Sequence, residues 1–170
     1  MATEGLLVRE AVLGDEAGIA RVNIDSWRET YGPLFDERFF DETMLERRLS
    51  FWRGYLQLSP RPGRMAVAVD AEHILGFANA GDSVGQDAEH GHPVVRPLTL
   101  FSIYLMEVGH GTGVGQQLLD ATIGQDPAQL WVLAANHRAI AFYERNGFEF
   151  DGTESTDAAN PAIVERRMVR

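Results

Sequence analysis

Residues 104–119 read YLMEVGHGTGVGQQLL, and this stretch decides the fold. It completes an apolar run that predicts a buried strand over 98–106, and it enters an amphipathic helix predicted over 114–124. Four glycines alternate with other residues between the two elements: Gly109, Gly111, Gly113 and Gly115. Glycine tolerates a positive φ and lets a ligand approach the backbone closely. Several amides can then bind a phosphate beside the positive end of the helix dipole, without any basic side chain. A plain tight connection is the alternative.

Two common phosphate-binding patterns do not fit these glycines. The dinucleotide pattern G-x-G-x-x-G fails after Gly111 because position 116 is Gln, and it fails after Gly109 because position 114 is Val. The Walker pattern needs a lysine, and the chain contains none. Any phosphate site in this loop is therefore of another kind.

A second stretch, residues 130–148, reads LWVLAANHRAIAFYERNGF. Its beginning predicts a strand over 129–134. Its remainder predicts a helix over 136–146, with Gly147 just past the end. Asn136 is suited to cap this helix, because an Asn side chain accepts a backbone N–H of the first turn.

Together the two stretches resemble the GCN5-related N-acetyltransferase (GNAT) superfamily. Its acetyl-CoA-binding motif begins with Arg or Gln and continues x-x-Gly-x, then Gly or Ala, after a hydrophobic strand. Here His110 takes the first place, and Gly113 and Gly115 take the glycine places. The second stretch is similar to the superfamily's Asn-x-x-Ala-x-x-Phe-Tyr helix followed by Gly-Phe. The resemblance covers 98–150 and departs at His110 and Thr112, where Arg, Gln or Lys is frequent.

The remaining residues predict elements in an order that fits this resemblance. Helices are expected over 14–31 and 37–58, and further strands over 6–11, 65–69, 74–78, 148–153 and 163–169. The second helix has two apolar stripes and should be buried on two sides or line a pocket. The order is β-α-α-β-β-β-α-β-α-β-β, an α+β class, predicted as a single domain over 1–170. The resemblance implies the GNAT (acyl-CoA N-acyltransferase) fold, a mixed central sheet of about seven strands flanked by about four helices.

The resemblance implies transfer of an acetyl group from acetyl-CoA to a primary amine of a small molecule or peptide. In the family, the strand before the loop splays from its neighbour, and its backbone pairs with the pantetheine arm of the coenzyme. The residues carried over to coenzyme binding are Leu105, His110, Gly111, Thr112, Gly113, Val114, Gly115 and Asn136. Tyr143 takes the place of the general acid, a role that suits a phenol with a pKa near 10. Packing is the alternative for Tyr143, and helix capping alone is the alternative for Asn136.

The acceptor side of the reaction has candidates but no motif. A neutral amine is needed for attack, so a base is required at pH 7, and Glu29, Asp25 and Glu107 remain open as that base. Residues 26–31, SWRETY, resemble a segment of many small bacterial members, including polyamine and peptide acetyltransferases. Trp27 and Tyr31 in this segment could wall an amine pocket through cation–π contact, or they could be core residues at helical spacing.

The composition narrows the chemistry further. The 170 residues include 25 acidic and 15 basic side chains, a net charge of −10, which disfavours a nucleic-acid partner. The negative charge suits a cationic acceptor, although solubility is the simpler explanation for it. The absence of cysteine excludes disulfides and an acetyl-cysteine intermediate. With the activity that the resemblance implies, we expect direct attack of the amine on the thioester within a ternary complex. The absence of lysine excludes a Schiff base.

Location and partners follow from weaker signals. The N-terminus has no signal-peptide pattern and no apolar run is long enough to span a membrane, so a cytoplasmic protein without a membrane partner is expected. No metal is expected; His90 and His92, near Asp87 and Glu89, are predicted to lie in a solvated loop. A homodimer is a further expectation from the aromatic helices. The alternative function is a catalytically idle acyl-CoA-binding sensor or interaction protein. Within the enzyme class, a longer acyl-CoA or a protein N-terminus as the acceptor stays open.

Overall fold

The computed structural model describes residues 5–71, 73–83 and 91–170. These residues form seven strands: β1 (Leu7–Glu10), β2 (Arg64–Val69), β3 (Ile74–Asp82), β4 (Leu98–Leu105), β5 (Ala128–Leu133), β6 (Glu149–Thr156) and β7 (Val164–Val169). They also form four α-helices: α1 (Glu16–Tyr31), α2 (Glu42–Leu56), α3 (Val114–Thr122) and α4 (His137–Arg145). The predicted order of elements is confirmed.

The strands hydrogen-bond in the order β1-β2-β3-β4-β5-β7-β6. β4 pairs with β5 in parallel, whereas the pairs β1/β2, β2/β3, β5/β7 and β6/β7 are antiparallel. The sheet is therefore mixed, as predicted, with seven strands and four helices.

The chain divides into two compact units, which share β3 and β4. The first runs to Ala80 and resumes over Ser102–Gly124, while the second holds the described residues of Gly81–Phe101 and Gln125–Arg170. The single domain predicted over 1–170 stays a prediction.

Alternation along β2 explains how the first unit has a core on each face of its strands. Met65 and Val67 pack in a buried cluster with residues of α1 and α2, such as Ile19 and Trp52. The intervening alanines of β2 pack in a second cluster, with Val114 and Leu118 of α3. Because side chains on a strand alternate between the two faces, one short apolar strand supports helices on both. Small residues on the α3 side leave room for that helix.

The beginning of α2 differs from the prediction. The expected single helix over 37–58 is divided into a 3-10 turn over Glu37–Phe40 and an α-helix that begins at Glu42. Asp41 has an extended backbone, and its carboxylate accepts the N–H of Met44 at 3.0 Å, so it caps the helix. One of the two predicted apolar stripes lies in the core cluster or packs against it: Leu45, Leu49, Trp52 and Leu56. The other predicted stripe comprises Phe40, Met44, Phe51 and Tyr55, and its Phe51 is 59% exposed.

An ion pair between a buried arginine and a partly exposed aspartate stabilises the second unit. Arg167 on β7 is 4% exposed, and its Nε donates to the carboxylate of Asp151 at 2.7 Å. Its other nitrogens donate to the carbonyl oxygen of Pro93 at 2.7 Å and to the hydroxyl of Thr153 at 3.1 Å. These bonds connect β7 to β6 and to the segment that precedes β4.

Candidate active site

The glycine loop connects β4 to α3 through a 3-10 turn over Glu107–Gly109. Gly111 and Gly113 follow with φ values of +74° and +85°, which only glycine adopts without strain. A Cβ at either position would meet no atom of the chain within 4 Å. Both glycines therefore adopt the positive φ for which glycine was expected, and the space beside each of them is open.

Four amides of this loop have no hydrogen-bond acceptor among the residues that the structure describes: those of Gly111, Gly113, Gly115 and Gln116. The first amides of any α-helix lack an acceptor one turn back, and Gly115 and Gln116 belong to that first turn of α3. The first amide of α3 that donates to a carbonyl oxygen four residues back is that of Gln117, which bonds to Gly113 O at 3.2 Å. Donor groups at a helix N-terminus favour an anion.

His110 and Thr112, the two departures from the family motif, brace the loop. The ring Nε2 of His110 donates to Leu105 O at 2.9 Å, since a carbonyl oxygen can only accept. The hydroxyl of Thr112 donates to Gly109 O at 2.7 Å and lies 3.4 Å from the amide nitrogen of Val114. The side chains of His110 and Thr112 thus bond to backbone carbonyl oxygens of the loop and of the residue before it. A long basic side chain at either position could instead extend into solvent.

Leu105 lies at the junction of strand and loop. Its side chain packs so closely on Gly76 and Gly109 that a Cβ at either glycine would lie 2.7 Å from Leu105 Cδ1. The backbone carbonyl of Leu105 already accepts the His110 bond described above. The structure thus brings Leu105 and His110 together with the glycines of the loop.

The second unit contains the end of the ladder between β4 and β5. The ladder pairs Leu98 with Ala128 and Thr99 with Gln129. Within the described part of that unit, the next residues of β4, Leu100 and Phe101, have no ladder partner on β5. This early end agrees with the splayed strand that the resemblance implies.

α4 positions the other two predicted residues. The side chain of Asn136 accepts the Ala139 N–H at 3.1 Å, so the predicted N-cap is present. Tyr143 is buried, with its ring edge-on to Phe142 and Phe148 at centroid distances of 5.5 and 5.9 Å. Tyr143 lies seven positions after Asn136, about two helical turns, so both lie on one side of α4. The packing that the alternative reading expected of Tyr143 is present, and its acid role stays a prediction.

The predicted acceptor residues belong to an aromatic cluster of the first unit, which comprises Trp27, Tyr31, Phe35 and Tyr104. Trp27 is its centre, at centroid distances of 5.1 Å from Tyr31, 5.4 Å from Phe35 and 6.3 Å from Tyr104. Tyr31 is buried, whereas Trp27 is half-buried and its Nε1 has no acceptor among the described residues. Sequence reasoning missed Phe35 and Tyr104, because neither lies on the helical repeat that marked the other two.

The three candidate bases have different surroundings. The carboxylate of Glu29 accepts the backbone N–H of Glu107, the first residue after Met106 in the loop, at 3.1 Å. Asp25 instead lies 3.5 Å from its helical neighbour Arg28. The side chain of Glu107 is exposed. Of the two candidate bases on α1, Glu29 is therefore the one that contacts the glycine loop.

The remaining expectations concern metals and membranes. His92 stacks on Trp131 with a centroid distance of 5.6 Å, and its Nε2 lies 3.1 Å from Glu154 O. Asp87, Glu89 and His90 lie outside the described residues. The described part of the chain contains no group of three or more potential metal ligands. It also contains no helix long and apolar enough to cross a membrane.

Comparison with known proteins identifies the same family. A family model described as an acetyltransferase (GNAT) domain matches residues 61–150. An uncharacterized N-acetyltransferase, YuaI of Bacillus subtilis (strain 168), is 27% identical over 168 residues, which cover 93% of this chain and 88% of that protein.

Solved structures show the same fold. PaiA N-acetyltransferase from Thermoplasma acidophilum, in complex with coenzyme A, has a TM-score of 0.71 at 17% identity, covering 97% of this chain and 98% of that chain. A protein described as histone acetyltransferase HPA2 and related acetyltransferase, from Corynebacterium glutamicum, has a TM-score of 0.68 at 21% identity, with coverages of 97% and 95%.

Proposed function

Because the chain belongs to the GNAT acetyltransferase family, we propose that it moves an acetyl group from acetyl-CoA to a primary amine of a small molecule or peptide. The observation that carries this proposal is the glycine loop, with four amides in and next to the first turn of α3 that have no acceptor within the described part of the chain. Such amides suit the diphosphate of a coenzyme, and the loop needs no basic side chain for this purpose.

The residues present fit the coenzyme. The amides of the loop would bind its diphosphate, because the Cβ positions of Gly111 and Gly113 are open. The backbone of Leu105 and the side-chain amide of Asn136 would contact its pantetheine arm. The coenzyme supplies a thioester, which is the acetyl donor. Coenzyme A in the PaiA complex supports this reading.

The proposed transfer is direct, and the lack of cysteine excludes an acetyl-cysteine intermediate. The nitrogen of a neutral amine bonds to the acetyl carbonyl carbon, the bond from that carbon to sulfur breaks, and the nitrogen loses a proton to a base, directly or through water. Tyr143 would hold the proton that the departing thiolate takes up, since its phenol is a suitable donor. Trp27 and Tyr31 would contact the acceptor, and the net charge of −10 would favour a cationic one.

A thiol-release assay tests the proposal. The purified protein is given acetyl-CoA or succinyl-CoA in parallel, with a panel of cationic, neutral and acidic amines. We expect amine-dependent release of CoA with acetyl-CoA and a preference for cationic acceptors. Coenzyme binding without release for any amine would contradict the enzyme and favour the idle sensor. Release with succinyl-CoA alone would contradict the acetyl donor.

The proposal also includes the location, the partners and the assembly of the protein. We place the protein in the cytoplasm, without a nucleic-acid, membrane or metal partner, and with a homodimer as its assembly.

A further inference from the structure

A side chain of α1 contacts the backbone at the entrance of the glycine loop. The Oε2 atom of Glu29 accepts the N–H of Glu107 at 3.1 Å, although 78 positions separate the two residues in sequence. Its other carboxylate oxygen has no partner among the described residues. The bond is charge-assisted, a type stronger than a hydrogen bond between neutral groups.

The peptide group that joins Met106 to Glu107 is hydrogen-bonded at both of its ends. Its N–H donates to Glu29, and its carbonyl oxygen, Met106 O, accepts the Gly109 N–H at 2.9 Å. Hydrogen bonds that meet at one peptide group in this way polarise and reinforce one another. The next peptide of the turn is bonded separately: Glu107 O accepts the His110 N–H at 2.9 Å, and the ring of His110 donates to Leu105 O at 2.9 Å. Glu29 therefore acts on the peptide group from which the 3-10 turn begins.

The helix that carries Glu29 is fixed in place. Ile19, Ala20 and Val22 of α1 are buried in the core cluster, and Trp27 packs edge-on to Tyr104 of β4. A carboxylate on a rigid element holds the group that it contacts more precisely than one on a mobile loop. The peptide of Glu107 is accordingly held from outside the loop, while His110 and Thr112 hold it from within.

We propose that Glu29 is a positioning residue for coenzyme binding: it holds the entrance of the glycine loop in the binding conformation before the coenzyme arrives. This inference rests on the proposed function for the identity of the ligand. Ordering a loop in advance strengthens binding because the cost of ordering is not subtracted from the affinity. The role requires a hydrogen-bond acceptor at this position, and it does not require a charge or a base.

Substitutions at Glu29 separate these requirements. Glu29→Ala removes the acceptor, whereas Glu29→Gln keeps a carbonyl oxygen that can accept the same N–H. We expect Glu29→Ala to weaken acetyl-CoA binding about 3- to 10-fold in calorimetry, the value of one such bond. Glu29→Gln should stay within about twofold of the wild type. Glu46→Ala, an exposed Glu-to-Ala change within α2, is the control for charge and helix propensity and should not change the affinity.

The donor side offers an independent test. Glu107→Pro removes the N–H, and proline is tolerated at the start of a helical turn after an extended residue such as Met106, whose φ and ψ are −59° and 148°. Glu107→Ala keeps the N–H and loses the same side chain, so it is the reference. We expect Glu107→Pro to weaken binding as Glu29→Ala does, and the double variant to be no weaker than either single one.

Amide hydrogen exchange gives a readout without coenzyme. In the free protein, the Glu107 amide should exchange faster in Glu29→Ala than in the wild type, by about the same 3- to 10-fold, and Glu29→Gln should restore the protection. Unchanged exchange in Glu29→Ala would overturn the inference. A Glu29→Gln variant with unchanged affinity but a much lower kcat would also overturn it, since the carboxylate would then act on the acceptor as a base. Failure of the proposed function would appear separately, as a wild type that releases no thiol while its Glu107 amide remains protected.

Discussion

Gly113 connects backbone conformation directly to the proposed function. Its φ is +85°, and a Cβ there would meet no atom within 4 Å. Gly113→Ala adds left-handed strain of roughly 1 kcal/mol and places a methyl group where the diphosphate would approach. We expect a folded variant with a slightly lower Tm and an affinity for acetyl-CoA at least about tenfold lower in calorimetry.

Gly152 on β6 provides the matched control. Its φ is +88°, and a Cβ there would also meet nothing within 4 Å. Gly152→Ala should lower the Tm by a similar amount because the strain is similar, and it should leave the affinity unchanged. Equal affinities for the Gly113 and Gly152 variants would mean that the loop does not bind the coenzyme.

Tyr143 is proposed to protonate the departing thiolate. Tyr143→Phe removes the hydroxyl and keeps the ring that packs on Phe142 and Phe148. We expect kcat to fall by about 10²–10⁴-fold, the usual value of general-acid help, with the affinity for acetyl-CoA nearly unchanged. The fall should shrink with a more acidic leaving thiol, which needs less protonation.

Tyr55 offers a comparison for this change. Its hydroxyl donates to Pro62 O, so Tyr55→Phe also deletes a tyrosine hydroxyl that makes a hydrogen bond. That variant should lose stability but keep kcat. If Tyr143→Phe behaved in the same way, under conditions where chemistry limits the rate, Tyr143 would be a packing residue only.

Some roles of single residues could be predicted from the sequence, and others could not. Asn136 was predicted as an N-cap because capping depends on the next three residues alone, and its bond to the Ala139 amide confirms it. The bond from the His110 ring to Leu105 O depends on the 3-10 turn over Glu107–Gly109, which lies between the two residues and was not predicted. The contact of Glu29 with Glu107 spans 78 positions, and no local pattern encodes it.

At the scale of elements, α2 shows how apolar periodicity can hide a helix start. Phe40 and Met44 lie four positions apart and suggested one continuous helix from Glu37. Asp41 between them adopts an extended backbone and caps the helix through the Met44 amide instead. Its side chain offers the backbone an alternative to the helical bond, which is the reason Asp favours N-caps.

α4 has a cap whose two proposed roles can be separated. Asn136→Ser keeps a capping oxygen, so stability should change by only a few tenths of a kcal/mol. It removes the amide that would contact the pantetheine arm, so the affinity for acetyl-CoA should fall. Asn136→Ala should lose the affinity and, in addition, about 1 kcal/mol of unfolding free energy in denaturant titrations.

Asp41 supplies the control for this cap. Its bond to Met44 N, at 3.0 Å, matches the 3.1 Å bond of Asn136 to Ala139 N. Asp41→Ala should therefore cost a similar free energy of unfolding without a specific loss of affinity. An Asn136→Ser variant that binds acetyl-CoA like the wild type would leave Asn136 as a cap alone.

For the whole molecule, the order of elements was predictable because glycines and apolar runs mark each boundary. The strand order was not, since β7 lies between β5 and β6 and local periodicity does not encode which strands pair. The family resemblance implied a mixed sheet of about seven strands, but the sequence analysis contained no strand order. The division into two units arises from contacts between distant residues and has no compositional boundary.

Each unit contains an ion pair that should make the fold sensitive to acid. Burial alone would raise the pKa of Asp151, but bonds from Thr153 and Arg167 outweigh it and hold that pKa below its usual value. Burial likewise opposes bonds from Arg9 and the Val12 amide, which hold the pKa of Asp15 low. A depressed pKa adds stability above the unfolded-state value of about 3.9. That stability disappears as the pH falls through the folded-state value.

Asp151→Asn tests this linkage. It leaves Arg167 buried without its charged partner, which should cost about 3–5 kcal/mol near neutral pH. The difference from the wild type should narrow below about pH 4 in thermal melts, as the wild-type carboxyl becomes protonated. Asp36→Asn, at an exposed pair with Arg38, should have a much smaller effect. A difference that stays constant down to the lowest pH would show that the charge of Asp151 is not its source.

The net charge of −10 should act oppositely on the two proposed substrates. The field of the molecule repels an anionic coenzyme and attracts a cationic amine, and salt screens both effects as the Debye length falls from about 30 Å to about 8 Å between 0.01 and 0.15 M. Over residues 106–117 the only ionisable side chains are Glu107 and His110, so no permanently charged base counters the repulsion.

We therefore expect added salt to lower the KM for acetyl-CoA and to raise the KM for a cationic amine. A neutral acceptor of similar size is the control, and its KM should not change. A KM for acetyl-CoA that rises steeply with salt would instead point to basic side chains at the coenzyme, and backbone amides would not then be its main ligands.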